Sequence, residues 1–169
     1  DKKLIETISR YTASGIDQQV DYEKFYLYSL ITHSTAIEGS TVTEVENQLL
    51  FDEGIAAKGR SLNEQMMNVD LKNAYLYGFE WAKTGQPYSV ELLCELSAKV
   101  MRRTGSEYST MGGSFDSSKG ELRRCNVSAG IGGRSYLAFQ KIPKATADLC
   151  DWLNGELASV DRNDMAACY

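Results

Sequence analysis

Two tetrapeptides constrain this chain more than anything else in it. Thr43-Glu44-Val45-Glu46 and Ser61-Leu62-Asn63-Glu64 each set a hydroxyl three residues ahead of a glutamate. In that spacing the hydroxyl accepts from the backbone of the third helical residue, and the carboxylate reaches back to the first free N–H. Both signal helix starts. The first predicts a short helix through Leu49, Leu50 and Phe51, closed by Gly54. The second predicts a long helix to about Lys83, stopped by Thr84-Gly85. With only two prolines in 169 residues, little interrupts a helical reading. The hydrophobic share of 43% is that of one compact domain with a real core.

Further helices follow from the same signals. Residues 2–10 form a short helix, and 11–20 a polar connection. Asp21 is an N-cap, followed by a stripe at helical spacing: Tyr22, Phe25, Tyr26, Ser29, Leu30, His33 and Ile37. Gly39 ends that helix in a left-handed C′ position. On the long helix, Met67, Leu71, Ala74 and Gly78 form one apolar face. Leu62, Met66, Val69, Tyr77 and Trp81 form its neighbour, and Asp70 and Asn73 break the pattern with local partners. Pro87-Tyr88-Ser89 caps a helix whose core face is Leu93, Leu96 and Val100. Residues 105–120, rich in Gly and Ser, read as a loop. Val127, Ile131, Tyr136 and Phe139 around Gly130, Gly132 and Gly133 read as a β-hairpin within 122–139. Pro143 opens a helix with Ala145, Leu149, Trp152, Leu153 and Leu157 inward, and Asp161 caps another that is cut off at Tyr169. The fold class is thus all-α, a helical bundle of five or six helices, with one β-hairpin.

Charge and composition exclude several functions. The net charge of −5, from 18 basic and 23 acidic residues, lacks the cationic surplus of a nucleic-acid binder. No apolar run approaches the roughly 20 residues of a membrane span. No signal peptide is visible, although the first residue is not Met. Cys94, Cys125, Cys150 and Cys168 form no C-x-x-C pair, which speaks against zinc and points to reduced thiols and a cytoplasmic setting. Asn126-Val127-Ser128 matches a glycosylation sequon by chance. The single histidine, His33, removes multi-histidine metal sites and reads as a structural residue. Gly130-Ile131-Gly132-Gly133 lacks the lysine and serine of a phosphate loop and reads as a turn. Arg123 and Arg124 read as solvated strand-edge charges, with Arg123 a candidate anion contact.

One charge is misplaced. Ser34 and Glu38 are i, i+4 neighbours in the last turn of the helix that ends at Gly39. That end already carries partial negative charge, so an exposed acid there costs roughly 0.3–1 kcal/mol. A cation from elsewhere would turn the misfit into a specific pair.

Ser34-Thr35-Ala36-Ile37-Glu38-Gly39 resembles the [S/T]-x-x-x-E-[G/N] inhibitory motif of the Fic family. The stretch Ser40–Val45 is similar to the segment that trails it in members with an N-terminal inhibitory helix. Gly59-Arg60-Ser61-Leu62, the Glu64 helix and Ala74 resemble the first core segment. Gly120-Glu121-Leu122-Arg123-Arg124-Cys125-Asn126-Val127 resembles the family strand G-x-(Y/F)-R-x-x-x-V. The resemblance runs from about residue 30 to the C-terminus. It implies residues 1–56 as N-terminal helices with the inhibitory motif and 57–169 as the first part of a Fic core. It implies transfer of AMP from ATP, with Mg²⁺, to a hydroxyl of a target protein.

The family's catalytic signature, H-x-F-x-[D/E]-G-N-G-R-x-x-R, does not occur here, so no catalytic residue is assigned and the chain reads as truncated or split. By resemblance Ser34, Glu38 and Gly39 are inhibitory, with Glu38 meeting an arginine outside this chain. The predicted hairpin becomes a flap that docks the target by strand addition, through Asn126, Val127, Ser128 and Ala129 and through Ser135, Tyr136, Leu137, Ala138 and Phe139. The competing readings are an antitoxin-like module that delivers Glu38 to a partner Fic chain, and an unrelated helical structural domain.

Overall fold

The computed structural model describes residues 2–18 and 21–160. In chain order these form α1 (Lys2–Ala13), α2 (Tyr22–Ile37), α3 (Glu44–Asp52), α4 (Leu62–Lys83), α5 (Val90–Val100), β1 (Glu107–Thr110), β2 (Gly113–Asp116) and α6 (Ile142–Ser159). Short 3-10 turns lie at Ile16–Gln18, Ser117–Lys119 and Phe139–Lys141. Four helix starts are capped by side chains as their sequences dictate. Asp21 accepts from the backbone of Lys24, Ser89 accepts from that of Leu92, and Thr43 and Ser61 close complete capping boxes with Glu46 and Glu64. The helix assigned to Asp161 and the thiol of Cys168 fall outside the described residues. None of the described helices is long and apolar enough to cross a membrane.

α4 is the central strut, packing against α2 on one side and α5 on the other, with α3 behind α2 and α6 beside α5. Its capping turn and its last turn match the sequence reading, but the most deeply buried side chains do not. Besides Ala74, they are Gln65, Asn68 and Asp70, whereas Leu62 is 71% exposed. Asp70 has no local partner. It is fully buried and is held by Arg103, in the turn after α5, through both the backbone N–H (2.8 Å) and the guanidinium. Asn73 is exposed.

The expected faces of α2 and α6 are corrected in the same sense. On α2, Phe25, Tyr26, Leu30 and Ile37 are exposed, Ile37 to 84%. The buried face is Ile31, Thr32 and Thr35. Threonines can line it because their hydroxyls are satisfied there: Thr32 donates to Tyr28 O (2.8 Å), and Thr35 reaches the Asn68 side chain (2.8 Å). On α6, Ala145, Leu149, Trp152 and Leu157 are exposed and only Leu153 of the expected set is half-buried, while Cys150 is buried. Asn154 orients this helix by gripping the backbone of Tyr88, accepting from its N–H (2.7 Å) and donating to its C=O (2.9 Å).

The hairpin is not where the sequence suggested. β1 and β2 pair antiparallel within the stretch expected to be a loop, with Tyr108 opposite Phe115 and their rings stacked at 5.0 Å. Met111 and Gly112 form the two-residue turn, and Gly113 follows at φ +107°. The expected hairpin within 122–139 has one antiparallel bridge only, Ser128 to Ser135. Most of its apolar side chains, Ile131, Tyr136, Leu137 and Val127, stay exposed, and of the apolar residues expected to frame it only Phe139 is half-buried. Without a buried face, longer strand pairing is not stabilised. The 11–20 connection is likewise shortened, because α1 continues to Ala13.

Candidate functional site

The C-terminus of α2 is a complete Schellman turn. Gly39, at φ +93°, donates its N–H to Ala36 O (3.0 Å), and Ser40 donates to Thr35 O (3.0 Å). Glu38 is the residue between, at φ −88°, ψ 8°. Two carbonyls of the last turn, those of Thr35 and Ala36, are thereby satisfied. Glu38 is exposed, and its carboxylate has no hydrogen-bond or ion-pair partner among the described residues. The i, i+4 hydrogen bond from Ser34 is absent, so Ser34 does not hold Glu38.

Behind this turn lies a buried polar network. Asn68 and Asn47 are fully buried. Asn68 Oδ1 accepts from Thr35 Oγ1 and from Asn47 Nδ2 (2.8 Å each), and Asn68 Nδ2 donates to Ser40 Oγ (3.1 Å) and Glu64 O (2.8 Å). Asn47 Nδ2 also donates to Thr32 Oγ1 (2.8 Å), while its own Oδ1 is buried without a partner. One step further out, Glu64 Oε1 accepts from the backbone and hydroxyl of Thr41 (2.8 and 2.7 Å), and its Oε2 accepts from Ser61. These bonds, the Ser61 hydroxyl first, hold the Glu64 carboxyl down to about 2. Arg60 joins the cluster through Glu46 (3.1 Å) and Thr41 Oγ1 (3.0 Å), and the Glu46 carboxyl is lowered, first by the backbone of Thr43 and then by Arg60.

His33 is exposed rather than set in an apolar face, and its Nε2 lies 3.3 Å from Glu44 Oε1. Ser29 Oγ donates to the same oxygen (2.6 Å). The carboxylate therefore stands between hydroxyl and imidazole, so His33 cannot take the serine proton as it would in a nucleophilic triad.

The second sequence-assigned region, 126–139, is a projecting turn pinned at its base. Arg123 donates to Cys125 O and to Leu137 O (the latter at 2.6 Å), bridging the two legs, and Phe139 N donates to Asn126 Oδ1 (3.1 Å). Above them, Ala129 N donates to Arg134 O and Tyr136 N to Val127 O (3.0 Å each). Ser128, Ser135 and Tyr136 are exposed and Ala138 is half-buried. The Arg123 guanidinium, read as a solvated strand-edge charge and a candidate anion contact, is directed at the carbonyls of Cys125 and Leu137. Thr110 Oγ1 donates to Arg124 O (2.8 Å), tying the β1–β2 hairpin to this base. The two regions are separate on the chain, and no hydrogen bond or ion pair among the described residues joins them. No group of three or more His, Cys, Asp or Glu side chains able to hold a metal occurs among the described residues.

The sequence pointed to Glu38 and to the 126–139 region but missed Asn68, Asn47 and Thr35. The available signal was polar residues at helical spacing with the apolar ones on a strongly capped helix.

No profile of a known protein family matches the chain. It is 24% identical over 165 residues to the protein adenylyltransferase fic-1 of Caenorhabditis briggsae, an alignment that takes in 92% of this chain and 30% of that relative. Its structure matches that of Fic-1 (residues 134–508) from C. elegans with a TM-score of 0.55 and 17% identity, over 94% of this chain and 48% of the other. The chain thus spans less than half the length of either protein. It is related to the Fic family and shares the Fic-1 fold over the part that it spans.

Proposed function

We propose that this chain is part of a Fic-type protein adenylyltransferase, with Glu38 as its inhibitory residue. Residues 1–56 carry the inhibitory helix, and 57–169 the first part of the core. The observation that carries the reading is the exposed Glu38 carboxylate, on a turn closed by its own backbone hydrogen bonds and with no ion-pair partner among the described residues. An acid at the negative end of a helix, left unpaired by its own chain, is arranged to receive a guanidinium. The likeness to a protein adenylyltransferase supplies the chemistry: AMP moves from ATP to a hydroxyl of a target protein.

Within that reading the 126–139 turn docks the target through its free backbone edges, and Arg123 keeps the two legs together. No side chain of this chain is assigned to the AMP transfer itself. The described residues hold no group of three or more His, Cys, Asp or Glu side chains for Mg²⁺. The test uses the complete reading frame that contains this chain. Glu38→Gly raises auto-transfer of AMP from labelled ATP above the unsubstituted protein. An unchanged rate refutes the inhibitory role.

A further inference from the structure

We propose that Asn68, with Thr35 and Ser40, is a clamp that fixes the position of Glu38, so that α4 controls the strength of inhibition. The inference rests on the inhibitory reading of Glu38. It begins from the Schellman turn, in which Thr35 and Ser40 are the two residues joined by the outer backbone hydrogen bond, Ser40 N to Thr35 O. The single Asn68 carboxamide holds both: Oδ1 takes the Thr35 hydroxyl and Nδ2 reaches the Ser40 hydroxyl. Glu38 and Gly39 lie between those two anchors.

The orientation of the Asn68 amide is determined by its fourth contact. The Glu64 carbonyl can only accept, so the edge 2.8 Å from it is the NH₂. All four hydrogen-bonding positions of Asn68 are then used, in a site with no exposure to water. Losing any one partner leaves a buried donor or acceptor unpaired, so the arrangement resists distortion. One helical turn away, Glu64 Oε1 takes the backbone and hydroxyl of Thr41 and extends the grip by one residue. Along α4, Glu64 and Asn68 therefore hold residues 35, 40 and 41, while the Glu38 carboxylate is left untouched. On the outer side the turn is open: a Cβ built on Gly39 would meet nothing within 4 Å. Glu38 is thus held only from the α4 side. Asn68 does not touch Glu38 and acts as a positioning residue.

The test uses the complete reading frame, alone and in the Glu38→Gly background. Thr35→Val keeps the side-chain shape and removes the hydroxyl, and Ser40→Ala removes the other anchor. Each is expected to raise auto-AMP transfer about fivefold, the population change for one lost hydrogen bond. Thr35→Ser, which keeps the hydroxyl, stays near the unsubstituted rate. Neither Thr35→Val nor Ser40→Ala adds anything in the Glu38→Gly background. Amide exchange at residues 39–41 accelerates in both variants.

If Glu38→Gly is active while Thr35→Val and Ser40→Ala stay at the unsubstituted rate, the clamp is refuted and the inhibitory reading stands. A further rise on top of Glu38→Gly also overturns the clamp, because the effect then bypasses Glu38. If Glu38→Gly itself shows no rise, the inhibitory reading falls and the clamp's regulatory role falls with it.

Discussion

Arg103→Ala tests how the central helix holds its neighbours. Asp70 is fully buried in α4, and the Arg103 side chain that pairs with it is 41% exposed. Removing the cation from a wholly buried pair costs about 3–5 kcal/mol. At the surface the same pair is worth roughly 0–1 kcal/mol. Here two features lower the buried figure: solvent reaches the guanidinium, and the backbone N–H of residue 103 still donates to Asp70 Oδ2 at 2.8 Å. The remaining loss is one charge-assisted hydrogen bond, about 2 kcal/mol. With a urea slope on the order of 2 kcal/mol/M, the unfolding midpoint falls by about 1 M. Asp70→Asn preserves the shape and removes the charge, so a double-mutant cycle isolates the pairing. A coupling of about 1–2 kcal/mol is expected. Coupling below about 0.5 kcal/mol would show that the guanidinium is merely adjacent, and the reasoning from burial would be wrong.

Three more outcomes follow from individual contacts. Glu64 has a folded value of about 2 against an ordinary 4.5, so its hydrogen bonds stabilise the fold fully above pH 4.5 and lose that contribution as pH falls through about 2. The difference in unfolding midpoint between the unsubstituted chain and Glu64→Gln is therefore constant near neutrality and shrinks across that window; an undiminished difference at its acid end contradicts the assignment. Gly120→Ala is destabilising by at least about 2 kcal/mol, because φ is +70° and the added methyl would run into the Cys94 carbonyl. Gly54→Ala, also at +70° but facing open space, loses only about 1 kcal/mol, and equal losses by calorimetry would remove the packing argument. Arg123→Ala releases the legs of the 126–139 turn, so hydrogen exchange of Val127 to Leu137 speeds up while that of α5 does not; unchanged exchange shows that Arg123 does not hold them.

What the sequence discloses about this fold is mostly local. Asp21, Thr43, Ser61 and Ser89 act as caps because a cap needs only a neighbouring N–H. Gly39 and Gly54 end helices because only glycine takes a positive φ cheaply. The misplaced charge of Glu38 is legible for the same reason, since the helix dipole is a property of the segment alone. Which face of each helix turns inward is not local, and counting apolar residues misjudged it on α2 and α6. The hairpin was also misjudged: Tyr108 and Phe115 pair in a Ser- and Gly-rich stretch, whereas in the more apolar 122–139 the side chains of Val127, Ile131, Tyr136 and Leu137 stay exposed.

The reason lies in how α4 is built. A buried polar side chain costs free energy unless a partner of matching geometry is in place. Each one on α4 therefore specifies a particular neighbour, which an apolar contact does not. Gln65 accepts from Ala57 N (2.8 Å) and fixes the loop after α3; Asn68 fixes the turn after α2; Asp70 fixes the turn after α5. Three connecting segments are registered against one helix by amides and a carboxylate. In such a helix the residues that break the apolar period are the ones that set the geometry of its surroundings. Asp70 and Asn73 looked alike as interruptions, yet one anchors a helix end and the other faces water. Only the partner, supplied by the folded chain, distinguishes them. Glu38 gains its fixed position in the same way: the residue at the surface is visible in the motif, and the residue that holds its turn is an asparagine on another helix.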